Sequence, residues 1–211
     1  MASHILYVSQ YQRRKELTMA VDASKVLVGA LDQATTGAVL DAPVGTPIPT
    51  DLNAALNAAF KDSGYISSDG IALSTDYSTK DITEANGANV RQLLEKFDGT
   101  VKFTELEMSE RAATRAFGKD AVTVTAATST RGTQMKIAIG ARLPEVREWV
   151  FKLKDGAVKM MIIVPRGQAI PPSEMNFQSA EAVTLPVELK CQPDAQGNSI
   201  YILTDDGVVT R

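Results

Sequence analysis

The stretch VRQLLEKFDGTVKFTELE, Val90 to Glu107, decides how the rest of this chain is read. Its Asp98-Gly99 pair invites a two-residue hairpin turn. That turn would set Phe97 opposite Thr100, Glu95 opposite Lys102 and Leu93 opposite Thr104, leaving Val101 and Phe103 on the other face. A continuous strand instead collects Leu93, Phe97, Val101 and Phe103 on one side, because residues of equal parity share a face. The continuous reading is the better one, with a bend or bulge expected at Gly99. Eighteen residues at ~3.3 Å each span ~60 Å, far beyond the usual five or six residues of a strand. Part of the segment is therefore expected to project from its domain and to find a partner.

Working outward, Asp155-Gly156 gives the opposite answer. Pairing Lys154 with Ala157 sets Leu153 against Val158, Phe151 against Met160 and Trp149 against Ile162, so one face is apolar and a true hairpin is expected. From Val183 the alternation Val183, Leu185, Val187, Leu189, Cys191 specifies a half-buried strand, with Pro186 on the other side pointing to an edge. Ile200 to Leu203 reads as a last strand. Ala121 to Ala126 and Met135 to Ile139 read as strands around the polar loop Thr128 to Thr133. Val26-Leu27-Val28 starts a short strand toward Leu31, with Ala38-Val39-Leu40 as partner across a Thr35-Thr36-Gly37 turn. Tyr65 to Leu73 reads as a strand interrupted at Asp69-Gly70.

Two helices are expected. Thr50 can cap one whose apolar positions are Leu52, Ala55, Leu56, Ala59 and Phe60, ending at Gly64. Ser109 caps another with Ala112, Ala113, Ala116 and Phe117 inside and Gly118 at its stop. Pro43, Gly45, Pro47 and Pro49 forbid regular structure, and Pro165, Gly167, Pro171 and Pro172 break the chain again. The polar stretch Ser74 to Asn89 reads as a long loop or irregular arm, a kind of segment that tends to be functional. The fold class is α+β and mainly β: an antiparallel sandwich or open barrel with two short helices. No internal repeat is visible.

With 211 residues and 44% hydrophobic content, the chain is long enough to bury a core without staples. Its 25 acidic and 22 basic residues give a net charge of -3 without blocks of either sign, which disfavours a general grip on nucleic acid. The single cysteine excludes an intramolecular disulfide and a multi-thiolate metal site, and suits a reducing compartment. No apolar run approaches the ~20 residues that span a bilayer, so a soluble protein is expected. Residues 1 to 18 hold a short apolar run, His4 to Val8, followed by Arg13-Arg14-Lys15, the wrong order for a signal peptide. They read as a flexible extension or an upstream start, with the patterned domain, residues 19 to 211, opening at Met19.

Chemistry finds little to build on. His4 is the sole histidine and lies in that first segment, which leaves triads, dyads and histidine metal sites without a base or ligand. Cys191 takes the inward parity of its strand and reads as a buried structural thiol. Glu105 and Glu107 share a strand face and read as a solvated or inter-subunit surface rather than an acid/base pair. Asp205-Asp206-Gly207 lacks the alternating ligands of a calcium loop and reads as a turn. Arg111, Arg115 and Lys119 form a helical stripe, ordinarily a solvated face, with an acidic neighbour as the alternative. Trp149 alternates with Phe151 as core. No phosphate-binding glycine loop is present. No catalytic, cofactor-binding or metal site is expected, and no cofactor.

Several segments carry a resemblance: Val26-Leu27-Val28-Gly29, Gly64-Tyr65-Ile66-Ser67 through Asp69-Gly70-Ile71, Ser78-Thr79-Lys80-Asp81-Ile82, Val90-Arg91, Lys96-Phe97-Asp98 through Lys102 to Glu107, and Leu185-Pro186-Val187-Glu188-Leu189. In this order, over about Met19 to Leu203, the chain resembles the tail tube (major tail) proteins of long-tailed, siphovirus-type bacteriophages. The resemblance implies a small β-sandwich that closes into a hexameric ring, with extended strands from each copy joining a β-barrel around a lumen. Rings would stack into the tube through which the genome is delivered to the host, DNA passing without specific binding. The polar arm at 74–89 would contact the adjacent ring, ordering on stacking. Tail terminator, tape measure and distal tail proteins are the implied partners, and assembly in the host cytoplasm is implied, with no membrane partner. A contractile-tail or injection tube is a close structural cousin. The alternative class, a β-sandwich adhesin or carbohydrate-binding module, would call for more exposed aromatics than a 6% aromatic content provides. An enzyme is the poorest match.

Overall fold

The computed structural model describes residues 26–32 and 37–208. Ten strands lie in two antiparallel sheets: β1 Val39–Pro43, β2 Lys61–Asp62, β3 Ala72–Thr83, β4 Asn89–Glu105, β5 Val122–Thr125, β6 Gln134–Ile137, β7 Val146–Asp155, β8 Val158–Ile170, β9 Leu185–Cys191 and β10 Tyr201–Asp205. The large sheet runs β2-β1-β7-β8-β9-β4-β3, with β10 also on β8, and β5 pairs β6 separately. Helix α1, Glu110–Phe117, runs into a 3-10 turn at Lys119–Ala121.

The large sheet curls because β4, β7, β8 and β9 each present an apolar inner face. Trp149 and Phe151 of β7, Val101 and Phe103 of β4, Ile162 and Val164 of β8, and Val187 and Leu189 of β9 form one buried cluster. Strands β7 and β4 are not neighbours, yet the Phe103 ring lies 5.9 Å from Trp149 and 5.7 Å from Phe151. Burial of each large side chain contributes about 1.5–3 kcal/mol, enough to make curling favourable. The result is the expected sandwich or open barrel.

The continuous reading of Val90 to Glu107 holds: β4 passes through Asp98-Gly99 without turning. Its irregularities fall elsewhere than expected. Gly99 is regularly paired with Thr75 and Cys191, and the register shifts at Ser78/Thr79 and Ile82/Thr83, where Glu95 and Val90 have no opposite residue. Gly99 is needed for space: a β-carbon there would stand 3.0 Å from Ile200 Cδ1 and 3.1 Å from Cys191 Cβ.

The Asp155-Gly156 hairpin also forms, two residues out of the expected register. Asp155 pairs with Val158, Leu153 with Met160, Phe151 with Ile162 and Trp149 with Val164. The loop is Gly156-Ala157, with Gly156 at φ 60 where a type II′ turn takes glycine. A shift of two preserves parity, so the apolar face is unchanged.

Four expectations are corrected. The first concerns residues 50 to 60, where no helix forms. Leu52, Leu56, Ala59 and Phe60 do pack inward, on the outer face of β1, β7 and β8. But Asp51 Oδ1 takes the Asn53 N–H and Asn57 Oδ1 takes the Ala59 N–H, both at 2.9 Å. These side-chain acceptors replace the i→i−4 ladder.

Second, the stretch Ser74 to Asn89 is no irregular arm: its residues up to Thr83 belong to strand β3, paired with β4 through two register shifts, residues 84–88 form the turn and Asn89 begins β4. The ladder offered by β4 outweighs its polarity, and its threonines, Tyr77 and Ile82 are compatible with that pairing. Third, Pro165 and Gly167 do not end β8. Between the pairs Trp149↔Val164 and Arg147↔Gly167, Pro165 sits at a register shift where no ladder N–H is required. There β8 exchanges β10 for β9 as its second neighbour.

Fourth, Leu31 makes an isolated bridge to Leu153, and β1 pairs with β7 and β2 rather than with residues 26–31. The proposed turn at residues 35 and 36 and the reading of residues 1 to 18 lie outside the described residues. The edge expected from Pro186 is found only locally: β9 lies between β8 and β4, but β8 reaches back only to Glu188, so the proline sits past the end of that ladder.

Candidate assembly surface

A buried ionic knot fixes the frame from which the candidate surface projects. Helix α1 begins where Ser109 Oγ accepts the Ala112 N–H at 3.1 Å and ends at Gly118, φ 91, whose N–H bonds Thr114 O. Its alanine face buries Ala112, Ala113 and Ala116, which brings Arg115 inward as well. Arg115 Nε donates to Asp41 Oδ1 at 2.5 Å and Nη1 to Glu105 Oε1 at 2.8 Å, while Nη2 donates to Asp62 O at 2.6 Å. The guanidinium also lies 5.9 Å from the Trp149 ring centroid, a cation–π arrangement. Arg111 Nη2 and Arg147 Nε complete the coordination of Asp41.

The knot therefore ties β1, β2, β4, α1 and β7 together. Glu105 Oε2 remains buried without a hydrogen-bond partner. Burial pushes the Glu105 carboxyl above its ordinary range, outweighing the opposing pull of Arg115. Two expectations change here. Glu105 is a fully buried ion-pair partner, not part of a solvated face, and Arg111 and Arg115 of the basic stripe both meet an acidic neighbour, Asp41, at 2.5 Å. Glu107 accepts the Tyr65 N–H at 3.1 Å. Asp41 and Arg147 were missed; the signal was an aspartate inside the apolar run Val39-Leu40-Asp41-Ala42.

From this frame the β3–β4 hairpin extends outward. Among the described residues, strand β9 covers β4 only over Gly99–Glu105, so residues 89–98 have β3 as their one strand neighbour, and β3 has only β4. About ten residues at ~3.3 Å each carry the ribbon about 30 Å past β9. Tyr77 and Phe97 pair across it with ring centroids 4.9 Å apart, and Gln92 Nε2 donates to Thr79 Oγ1. The tip closes through Gly87, φ 85, with the Glu84 N–H on Ala88 O. Tyr77, Val90 and Leu94 are each 60% or more exposed. A two-stranded ribbon with unpaired edges and exposed apolar side chains is marginal alone and is a template for another chain.

The remaining candidates play structural parts. Trp149 is core and donates Nε1–H to Gly167 O at 3.1 Å. Cys191 packs half-buried against the core, its thiol pushed up to about 11 by desolvation. Asp205 accepts the Gly207 N–H in a turn at the end of β10. His4 lies outside the described residues. Among the described residues no group of three or more His, Cys, Asp and Glu side chains is placed to hold a metal ion.

A mainly β sandwich with a rigid ionic frame and an unpaired, projecting hairpin defines an assembly subunit. The chain belongs to the phage tail tube protein family, whose model matches residues 19–210. It is thus a structural component of a phage tail, in a family that self-assembles. No curated protein matches the chain.

Proposed function

We propose that the protein forms hexameric rings that stack into the tail tube, the conduit through which the phage genome passes into the host, and that it is not an enzyme. The observation that carries this reading is the β3–β4 hairpin. Among the described residues, its backbone groups lack strand neighbours on both outer edges over residues 76–83 and 89–98. Copies placed around a ring supply those neighbours mutually, and closure removes the exposed edges that an isolated sheet would keep. Chain charge fits a conduit: a net -3 without basic blocks lets DNA slide, since tight binding needs clustered Lys and Arg. The partners are other copies of the chain, with terminator, tape measure and distal tail proteins at the tube's ends. Residues 1 to 18 are proposed as an extension or an upstream start, with residues 19 to 211 as the tube domain.

Light scattering after size exclusion, with negative-stain microscopy of the same fractions, tests the proposal. Rings of six copies or stacked tubes are expected. A strictly monomeric protein at high concentration would overturn it.

A further inference from the structure

Resting on that assembly reading, we propose that the cavity between α1 and the Pro144–Arg147 segment is an oxyanion site, filled in the assembly by a carboxylate from the hairpin tip of a second copy. The cavity holds about 140 Å³ and is lined by Arg111, Arg115, Lys119, Glu145 and Arg147 above Asp41. That volume suits a carboxylate or a phosphate group and is well below the about 300 Å³ at which pockets for larger ligands begin.

Positive donors dominate the cavity and are already oriented. Asp41 at its floor has both oxygens occupied, by Arg111 and Arg115 on one and Arg147 on the other. Arg111 directs Nε and Nη2 inward to Asp62 O, Lys61 O and Asp41, while Nη1 has no hydrogen bond among the described residues. Arg147 donates through Nε, and its Nη1 stands 3.9 Å from the exposed Glu145, too far for a hydrogen bond. Arg111 and Arg147 are 38% and 23% exposed, so these outer N–H groups can be reached. Their inner ends are anchored, so an arriving oxyanion meets donors that lose little freedom.

The hairpin tip supplies matching groups. Asp81 and Glu84 are exposed and form no ion pair among the described residues. Strand addition at the neighbouring β2 edge is disfavoured, since Arg111 and Arg115 already occupy the Lys61 and Asp62 carbonyls. Contact on this side is therefore made through side chains.

Two arms test the proposal on the full chain. In the first, the unassembled protein is titrated with inorganic phosphate at constant ionic strength while the amide resonances of Gly118 and Lys119 are followed. Saturable shifts are expected, with affinity weakened at least fivefold in Lys119→Glu; shifts no larger than those in a chloride control overturn the site. In the second, assembly rates are compared for Lys119→Glu, Glu84→Lys and the double variant. Each single change is expected to slow assembly about tenfold and the charge swap to restore it. Phosphate binding without rescue overturns the second copy as occupant and leaves a site for free anions. Should the wild type never assemble, the phosphate arm still decides the site, and the second-copy occupant falls with the tube reading.

Discussion

Arg115 Nη1 meets Glu105 Oε1 at 2.8 Å with the two side chains 2% and 0% exposed, joining helix α1 to the inner end of the longest strand. The pair sits at the root of the hairpin and not along it. The frame is thus stabilised separately from the surface that it presents.

Removing Arg115 alone leaves Asp41 and Glu105 buried with fewer donors. Arg115→Met is expected to cost about 3–5 kcal/mol, the usual result of breaking a buried pair from one side. Combining it with Glu105→Leu should recover a measurable part, because the orphaned carboxylate is gone. Urea unfolding followed by Trp149 fluorescence reads both; equal midpoints for the single and double variants would contradict the account.

The same pair sets a pH dependence. Burial raises the Glu105 carboxyl above its ordinary 4.5, so the folded state holds this proton more tightly than the unfolded state. For an acid shifted upward, the stabilising contribution is fully present below the unfolded value and is lost as pH rises through the folded one. Relative to Glu105→Gln, the wild type should lose stability as pH is raised above about 4.5. Unfolding midpoints across that range check it, and a gap constant with pH would contradict it.

Gly167 lies against the indole of Trp149. A β-carbon there would come within 2.6 Å of Trp149 Cδ1, beside the Nε1–H bond to Gly167 O. Gly167→Ala is therefore expected to destabilise by about 1–3 kcal/mol through overpacking. The single tryptophan reports the displacement directly as a changed emission maximum.

Cys191 should react slowly in the folded protein. With its thiol at about 11 against an ordinary 9.0, the thiolate fraction at pH 8 is lower than that of an ordinary cysteine by roughly 100-fold. Alkylation followed by intact mass should show a comparable retardation that disappears in denaturant. Rapid labelling of the folded chain would refute the burial argument.

The hairpin surface should separate stability from assembly. Val90→Thr and Leu94→Ser replace exposed side chains and should each change unfolding free energy by no more than about 0.5 kcal/mol, and Tyr77→Ser, which also breaks the ring pair with Phe97, by about 1 kcal/mol. Combined, they should abolish rings and tubes while leaving a folded monomer. Loss of folding in step with loss of assembly would place these residues in the frame instead.

Parity and turn chemistry alone determined several features: the continuity of β4, the hairpin at Gly156, the inward face of β9 and the alanine face of α1. Each depends on a local period of two or 3.6 residues or on a local turn, which a sequence displays directly. The resemblance of the central segments also pointed correctly to the family. Only the tertiary structure decided the rest. Residues 50 to 60 carry helical spacing but lose the helix to Asp51 and Asn57 acceptors, and Ser74 to Thr83 becomes a strand because β4 offers it a ladder. The roles of Asp41, Glu105 and Arg147 arise where the curled sheet brings β1, β4 and β7 around one helix. The spacing of Asp41 from Arg115 and Arg147, 74 and 106 residues along the chain, gives no sign of this, because charge pairing at such separation is set by the path of the backbone and not by local preference.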